Sequence, residues 1–239
     1  MATGYGVFED KVVIGNYSVE LEKIEEGVIR YKRFHNDELV VSKTLFKPTR
    51  FEIVPFYPIF LPERFTNYIL IKLDERVHVH GKGEALIYVE MPVDIAVYVY
   101  GPYRKFSIVD VFTLNEVKYA LYGVPDRGII ARYAVSHPYT FIPEPELGKA
   151  TVLINIRNRY DDWVEVGKIL LDAHILRLFY VPNTWNAYTQ AITMAVNSPV
   201  TATIYYGRRI EPKARRIHDP PDLRPPRIMA KTEMLWGIK

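Results

Sequence analysis

The sequence predicts a mostly β protein: a β-sandwich, as one large sandwich or two stacked ones, with one C-terminal-half helix and an extended Pro/Arg-rich tail. Three observations predict it. Apolar and polar residues alternate over many short runs. Glycine, proline, asparagine and aspartate punctuate those runs at regular spacing. From Gly207 onward the composition changes abruptly. Alternation marks a strand because successive side chains point to opposite faces of a sheet. Many short strands with turn clusters between them fit a sandwich or a distorted barrel.

The elements follow in chain order. Tyr17, Val19 and Leu21 alternate with Ser18, Glu20 and Glu22, and Asn36-Asp37 marks a turn. The stretch from Pro48 to Pro62, with Pro55 and Pro58 inside it, reads as an edge or a crossing, because proline cannot donate to a central ladder. Ile69, Ile71 and Leu73 alternate with Lys72 and Asp74, and Gly81-Lys82-Gly83 reads as a hairpin turn. Ile95, Val97 and Val99 alternate with Asp94, Ala96 and Tyr98, which assigns Tyr98 to the wetter face. Pro125 to Gly128 forms the next turn. Pro138, Pro143 and Pro145 make a second crossing near 136–149, where a body of residues 1–206 either divides into two lobes or passes strands between sheets. Val152, Ile154 and Ile156 continue the alternation, and Asn158 to Asp162 is a turn.

One segment breaks the period. Trp185, Tyr188, Ile192 and Ala195 recur at spacings of three and four, after Pro182-Asn183-Thr184 and before Asn197-Ser198-Pro199. Capping residues in front and a proline behind predict a helix with its aromatic stripe on the β body.

The tail, residues 207–239, holds nine basic and four acidic residues, so it carries +5; the chain total of +3 leaves −2 for residues 1–206. Its prolines, Pro212, Pro220, Pro221, Pro225 and Pro226, exclude a continuous helix. Three readings compete. Arg208, Arg209, Arg215 and Arg216 suit phosphate neutralisation on RNA or a ribosome. A polyproline-like arm suits docking on a partner. A basic tail also suits wrapping its own acidic body. Ile228, Met229, Met234, Leu235 and Trp236 give the end an apolar anchor. That anchor favours docking on self or on a second copy.

Composition narrows the chemistry. The 239 residues include no cysteine, which removes disulfides, thiol nucleophiles and cysteine-ligated metals. The N-terminus lacks a basic then apolar leader, and no run approaches the roughly 20 apolar residues of a membrane helix, so a cytoplasmic location is expected. Gln190 is the sole glutamine and there are 17 prolines, a thermophile tendency. His78 and His80 lie two apart on one strand face, a spacing that can share a metal, but only Asp74, Glu75 or Glu84 are at hand as a third ligand. Solvent-facing histidines are the stronger reading, and no metal or cofactor is expected. The carboxylate pairs Asp161-Asp162, Asp110 with Asp126, and Glu144 with Glu146 show no sign of convergence. There is no P-loop, dinucleotide fingerprint, nucleophile elbow or HExxH helix, which lowers the prior for an enzyme.

The block YALYGVPDRGIIARY, from Tyr119 to Tyr133, resembles an archaeal family known only as domain of unknown function 432. NYILIKLDERVHVHGKGEALIYVEMPVDIAVYVYG, from Asn67 to Gly101, and NRYDDWVEVGKILLDA, from Asn158 to Ala173, extend the resemblance over roughly residues 10–206. The tail looks like an addition to the family pattern. The resemblance implies an archaeal, cytoplasmic, β-rich protein with no assigned activity. It also makes Tyr122, Asp126, Arg127 and Arg132 the first place to seek an anion- or partner-binding site, since paired arginines bind phosphate or carboxylate. The alternative is that Asp126 and Gly128 only shape a turn.

The leading expectation is a non-enzymatic module that binds a protein partner or assembles with itself. RNA or ribosome association through the tail is one alternative. A small-ligand or carbohydrate site is another, and it requires a concave aromatic pocket with convergent polar groups.

Overall fold

A computed structural model describes residues 3–102, 106–223 and 231–239. They form nineteen strands in four sheets, none of them closed. The first sheet runs β1 (Gly6–Phe8), β6 (Arg50–Phe56), β9 (Asp94–Tyr100), β10 (Phe106–Phe112). The second is the meander β2 (Lys11–Ile14), β3 (Tyr17–Glu25), β4 (Val28–His35), β5 (Glu38–Phe46). The third runs β11 (Tyr119–Tyr122), β12 (Ile129–Ser136), β7 (Tyr68–Val79), β14 (Val164–Asp172). The fourth has seven strands, with β18 (Arg215–Arg216), β15 (Leu178–Tyr180), β16 (Ala187–Ser198), β13 (Lys149–Asn158) and β8 (Glu84–Pro92) in line. Beside β16 lies β17 (Thr201–Arg209), which pairs in turn with β19 (Lys231–Met234). Buried side chains from all four sheets join one hydrophobic cluster.

This corrects the expected sandwich. The chain repeatedly leaves one sheet for another at its turns. Gly81-Lys82-Gly83 is such a place: β7 and β8 flank it, yet they pair in different sheets, so it is not a hairpin. The buried Asn158 amide holds this corner, donating to the carbonyls of Val79, His80 and Asp162 at 2.8–3.0 Å. Asn36-Asp37 does close a hairpin, between β4 and β5, with positive φ at both residues (48° and 66°) as a type I′ turn requires.

The expected helix is also corrected: no helix occurs among the described residues, and its segment forms β16, a twelve-residue strand. β13 pairs parallel to one edge of β16, while β15 and β17 share the other edge end to end. Both edges of β16 are thus hydrogen-bonded; most of its residues are in addition buried whichever face they are on, so its side chains lose the alternation that identifies a strand. Tyr188, Ile192 and Ala195 are buried because nearly everything around them is. Thr184 accepts from Asn186 N–H at 3.2 Å and donates to Val181 O at 2.9 Å, so the supposed cap is a tight turn.

The stretch after Gly207 is not an extended arm. β18 and β19 extend the seven-stranded sheet, and Met234 and Ile238 are fully buried. The Ile238 carbonyl accepts from Gly167 N–H (2.6 Å) and Lys168 N–H (3.0 Å), where extra residues of β7, Leu73 to Arg76, interrupt its pairing with β14. Ile228 and Met229 lie outside the described residues.

β9 is the pivot of the first sheet. It is buried on both faces at Asp94 to Tyr98, again hiding the expected alternation. Val97 faces the same way as its register partner Asp110 on β10. That side is covered by β4, whose Tyr31 hydroxyl (2.8 Å) and Arg33 Nε (2.6 Å) both donate to buried Asp110. Tyr98 faces the other way, and its hydroxyl donates to His218 O at 2.7 Å.

Candidate anion-binding cleft

Arg50, Glu52 and Val54 share one face of β6 by the period of two, and Tyr98 and Tyr100 share one face of β9. The register sets Arg50 opposite Tyr100 and Glu52 opposite Tyr98. Across from them stand Tyr180 of β15 and Arg215 and Arg216 of β18, with Tyr180 paired to Arg215. Between these walls lies a cleft of about 350 Å³, also bordered by Asn183 and His218. It adjoins a wider depression of about 560 Å³ that shares Arg50, Tyr100 and His218.

Glu52 organises the floor. One carboxylate oxygen accepts from the Tyr180 hydroxyl and the other from the Tyr100 hydroxyl at 2.6 Å. Arg50 Nη2 lies 3.4 Å from Glu52, and its guanidinium sits 3.9 Å from the Tyr100 ring centroid. Burial, followed by the Glu52 hydrogen bond and charge, pushes the Tyr100 hydroxyl up to about 12 and raises Tyr180 as well. Both phenols therefore stay protonated and keep donating to Glu52.

The charges do not balance. Three arginines and one carboxylate line the cleft, 3 − 1 = +2. Arg216 reaches Asp219 at 2.5 Å, a residue that also accepts from the Tyr57 hydroxyl at 3.3 Å; counting it leaves +1. Arg215 has no ion pair among the described residues and is exposed. An open cleft with surplus guanidinium charge is suited to an anion, because each guanidinium presents a planar fork of donors to carboxylate or phosphate.

The residues singled out in the sequence lie elsewhere, apart from Arg215 and Arg216. Tyr122 is buried, and its hydroxyl donates to Gly237 O at 2.8 Å while the Trp236 ring packs edge-on at 5.9 Å. Gly123 beside it has φ +115°, and a Cβ there would fall 2.8 Å from that indole, so Trp236 needs a glycine beneath it. Asp126 and Arg127 are exposed and 3.5 Å apart in the turn between β11 and β12. Arg132 is 1% exposed, donating to Glu116 O at 3.0 Å and Lys118 O at 3.4 Å. One arginine is in solvent and the other in the core, so the two do not form one anion site. Arg208 is exposed at the end of β17, and Arg209 donates to Ala214 O at 3.3 Å. His78 and His80 are exposed; His80 Nδ1 lies 2.8 Å from Gly81 O, and among the described residues no three potential ligands gather for a metal.

Arg50, Glu52, Tyr98, Tyr100, Tyr180 and His218 were missed. Arg50 and Glu52 fall in the proline-bounded stretch read as a crossing. The available signal was Tyr98 and Asp94 on the supposedly wet face of so apolar a strand.

Buried Asp94, on β9, has neither carboxylate oxygen hydrogen-bonded among the described residues, and Arg132 Nε is likewise unpartnered. Burial pushes the Asp94 carboxyl up to about 7, opposed by the neighbouring Thr113 hydroxyl and the Arg132 charge.

No curated protein matches the chain, and no solved structure matches it. One family model matches residues 4–236. The match runs through β17, β18 and most of the C-terminal segment, so the tail is part of the family pattern and not an addition to it. By this near full-length match the chain belongs to the family described as Protein of unknown function (DUF432).

Proposed function

We propose that the protein is a binding module for a small anionic ligand, a phosphate- or carboxylate-bearing molecule held in the cleft between β6–β9 and β15–β18. One observation carries the reading: Arg50 and Arg215 border a cleft, with Arg216 held by Asp219 at its edge, and the one lining carboxylate among the described residues, Glu52, is already engaged by two tyrosine hydroxyls. A volume of about 350 Å³ suits a small metabolite, and Asn183 and His218 add polar groups that can orient hydroxyls. The tail arginines expected to reach RNA from a free arm favour this reading instead, since two of them line the cleft. The apolar end of the tail, expected to dock on self or on a second copy, is buried at Met234 and Ile238, where β19 pairs with β17 of the same chain.

Thermal unfolding with inorganic phosphate, glucose 6-phosphate or succinate as probes tests the proposal. At 100 Kd of ligand the folded state gains about 2.7 kcal/mol, a shift of several degrees in Tm. Arg215→Ala should abolish the shift while leaving the unliganded Tm nearly unchanged. No shift with any of the three at tens of millimolar, or an equal shift in the Arg215→Ala protein, would refute the reading.

A further inference from the structure

A second surface feature lies where the chain passes from the third sheet to the fourth. β12 runs parallel to β7 only from Ile69 to Leu73, ending at Ser136. The chain then crosses to β8, where Tyr139 and Tyr88 exchange main-chain hydrogen bonds of 2.8 and 2.9 Å. Two edges are left open among the described residues: β7 beyond Leu73 on its β12 side, and β8 from Glu84 to Ile87 on the side away from β13. Tyr88 turns its N–H and C=O outward to Tyr139. In an antiparallel pair that orientation repeats every second residue, so Leu86 and Glu84 turn theirs outward too.

Between the edges lies a groove of about 520 Å³ lined by Val77, Ala85, Leu86, Ile87, Tyr139 and Phe141. Leu86 is 55% and Phe141 66% exposed. Two carboxylates beside it lack a lysine or arginine partner among the described residues. Arg76 is engaged by Glu165 and Glu84 by Arg157, while Glu75 has no ion pair among the described residues and Asp74 faces only the imidazole of His137, at 3.1 Å. An open edge of this kind is a template for an added strand.

We propose that this groove takes an extended segment of a partner protein in which apolar and basic residues alternate. It adds as a strand to β8 in line with Tyr139, its apolar side chains lying against Leu86 and Phe141 and its basic ones against Asp74 and Glu75. A second copy of this chain is the poorer occupant. It would bring the same acids face to face, and Tyr139 leaves only four residues of β8 open to a symmetric pairing. The proposal is independent of the anion cleft.

The probe is a fluorescein-labelled ten-residue peptide alternating valine and lysine, with its valine–glutamate counterpart as control, titrated against the full chain by anisotropy. The lysine peptide should bind at least tenfold tighter than the glutamate peptide, and binding should slow hydrogen exchange at the Leu86 amide. Leu86→Pro, which removes the central donor, should weaken binding at least tenfold. If that variant does not fold, Leu86→Lys, an exposed change, should weaken the lysine peptide to the same degree. Equal binding of both peptides, or binding unaffected by the Leu86 variant that folds, overturns the proposal. So does a concentration-dependent dimer lost in that variant with no peptide bound, which would make the occupant a second copy.

Discussion

Asp94→Asn is the perturbation that probes the core most directly. Asp94 and Arg132 are each 1% exposed; they feel each other's charge, yet neither carboxylate oxygen is hydrogen-bonded among the described residues. Burial lifts the Asp94 carboxyl from 3.8 to about 7 in the folded state. A folded pKa above the unfolded one means that the native state binds the extra proton. The associated stability is fully present below about pH 4, falls as pH rises toward 7, and is absent above it. A rise of that size is worth roughly 4 kcal/mol as an upper bound. Asparagine has almost the same shape and no titration. The variant also removes the charge facing Arg132, which keeps the Glu116 and Lys118 carbonyls, so its absolute stability combines two opposing effects. The pH dependence of the difference does not. Urea unfolding of both proteins at intervals from pH 4 to 8 should show wild type losing up to roughly 4 kcal/mol relative to the variant as pH rises. A flat difference would show that Asp94 is not desolvated as described. A difference of opposite sign would show that Arg132 holds the carboxylate ionised, and the argument from burial would fail.

Two further substitutions test how the body is tied together. Asn158→Ala removes an amide that reaches three carbonyls and an oxygen that accepts from Tyr160 N–H at 3.0 Å, leaving buried acceptors unmet; a loss of about 2–3 kcal/mol in chemical denaturation is expected. Ile238→Ala leaves a cavity at a fully buried site beside the break in the β7–β14 ladder and should cost about 2–4 kcal/mol, whereas a free C-terminal arm would lose nothing measurable.

Strands with one wet face were legible in the sequence and strands with two dry faces were not. On β7, Ile69, Ile71 and Leu73 are buried while Lys72 and Asp74 are exposed, as the alternation requires. On β9 and β16 consecutive residues are buried, so both faces are covered, and period two disappears. Sheet membership was out of reach for a related reason. Gly81-Lys82-Gly83 satisfies the local chemistry of a hairpin, but pairing is decided by the distant partners β13 and β14. The candidate site suffered most. Arg127 and Arg132 are near in sequence and lie in opposite environments, while Arg50 and Arg215 are 165 positions apart (215 − 50) and border one cleft.

The composition of the C-terminal segment is explained by where that segment goes. Arg215 and Arg216 bring positive charge to the cleft across from Glu52, and the next residues fasten their strand to the first sheet: His218 O accepts from Tyr98, and Asp219 accepts from Tyr57. Farther on, Trp236 closes over Tyr122 and Gly123, and the Ile238 carbonyl takes the Gly167 and Lys168 amides where β14 leaves its pairing with β7. A ligand bound by Arg215 would therefore load a segment that also buttresses β9. Affinity at the cleft and resistance of the C-terminal segment to local unfolding are then thermodynamically linked, so each should rise with the other. A basic, proline-rich tail that detached from the body would give up both the cleft and part of the core. Two of the charges that suggest an arm for a distant partner, Arg215 and Arg216, lie on a strand that pairs with β15 of the same chain.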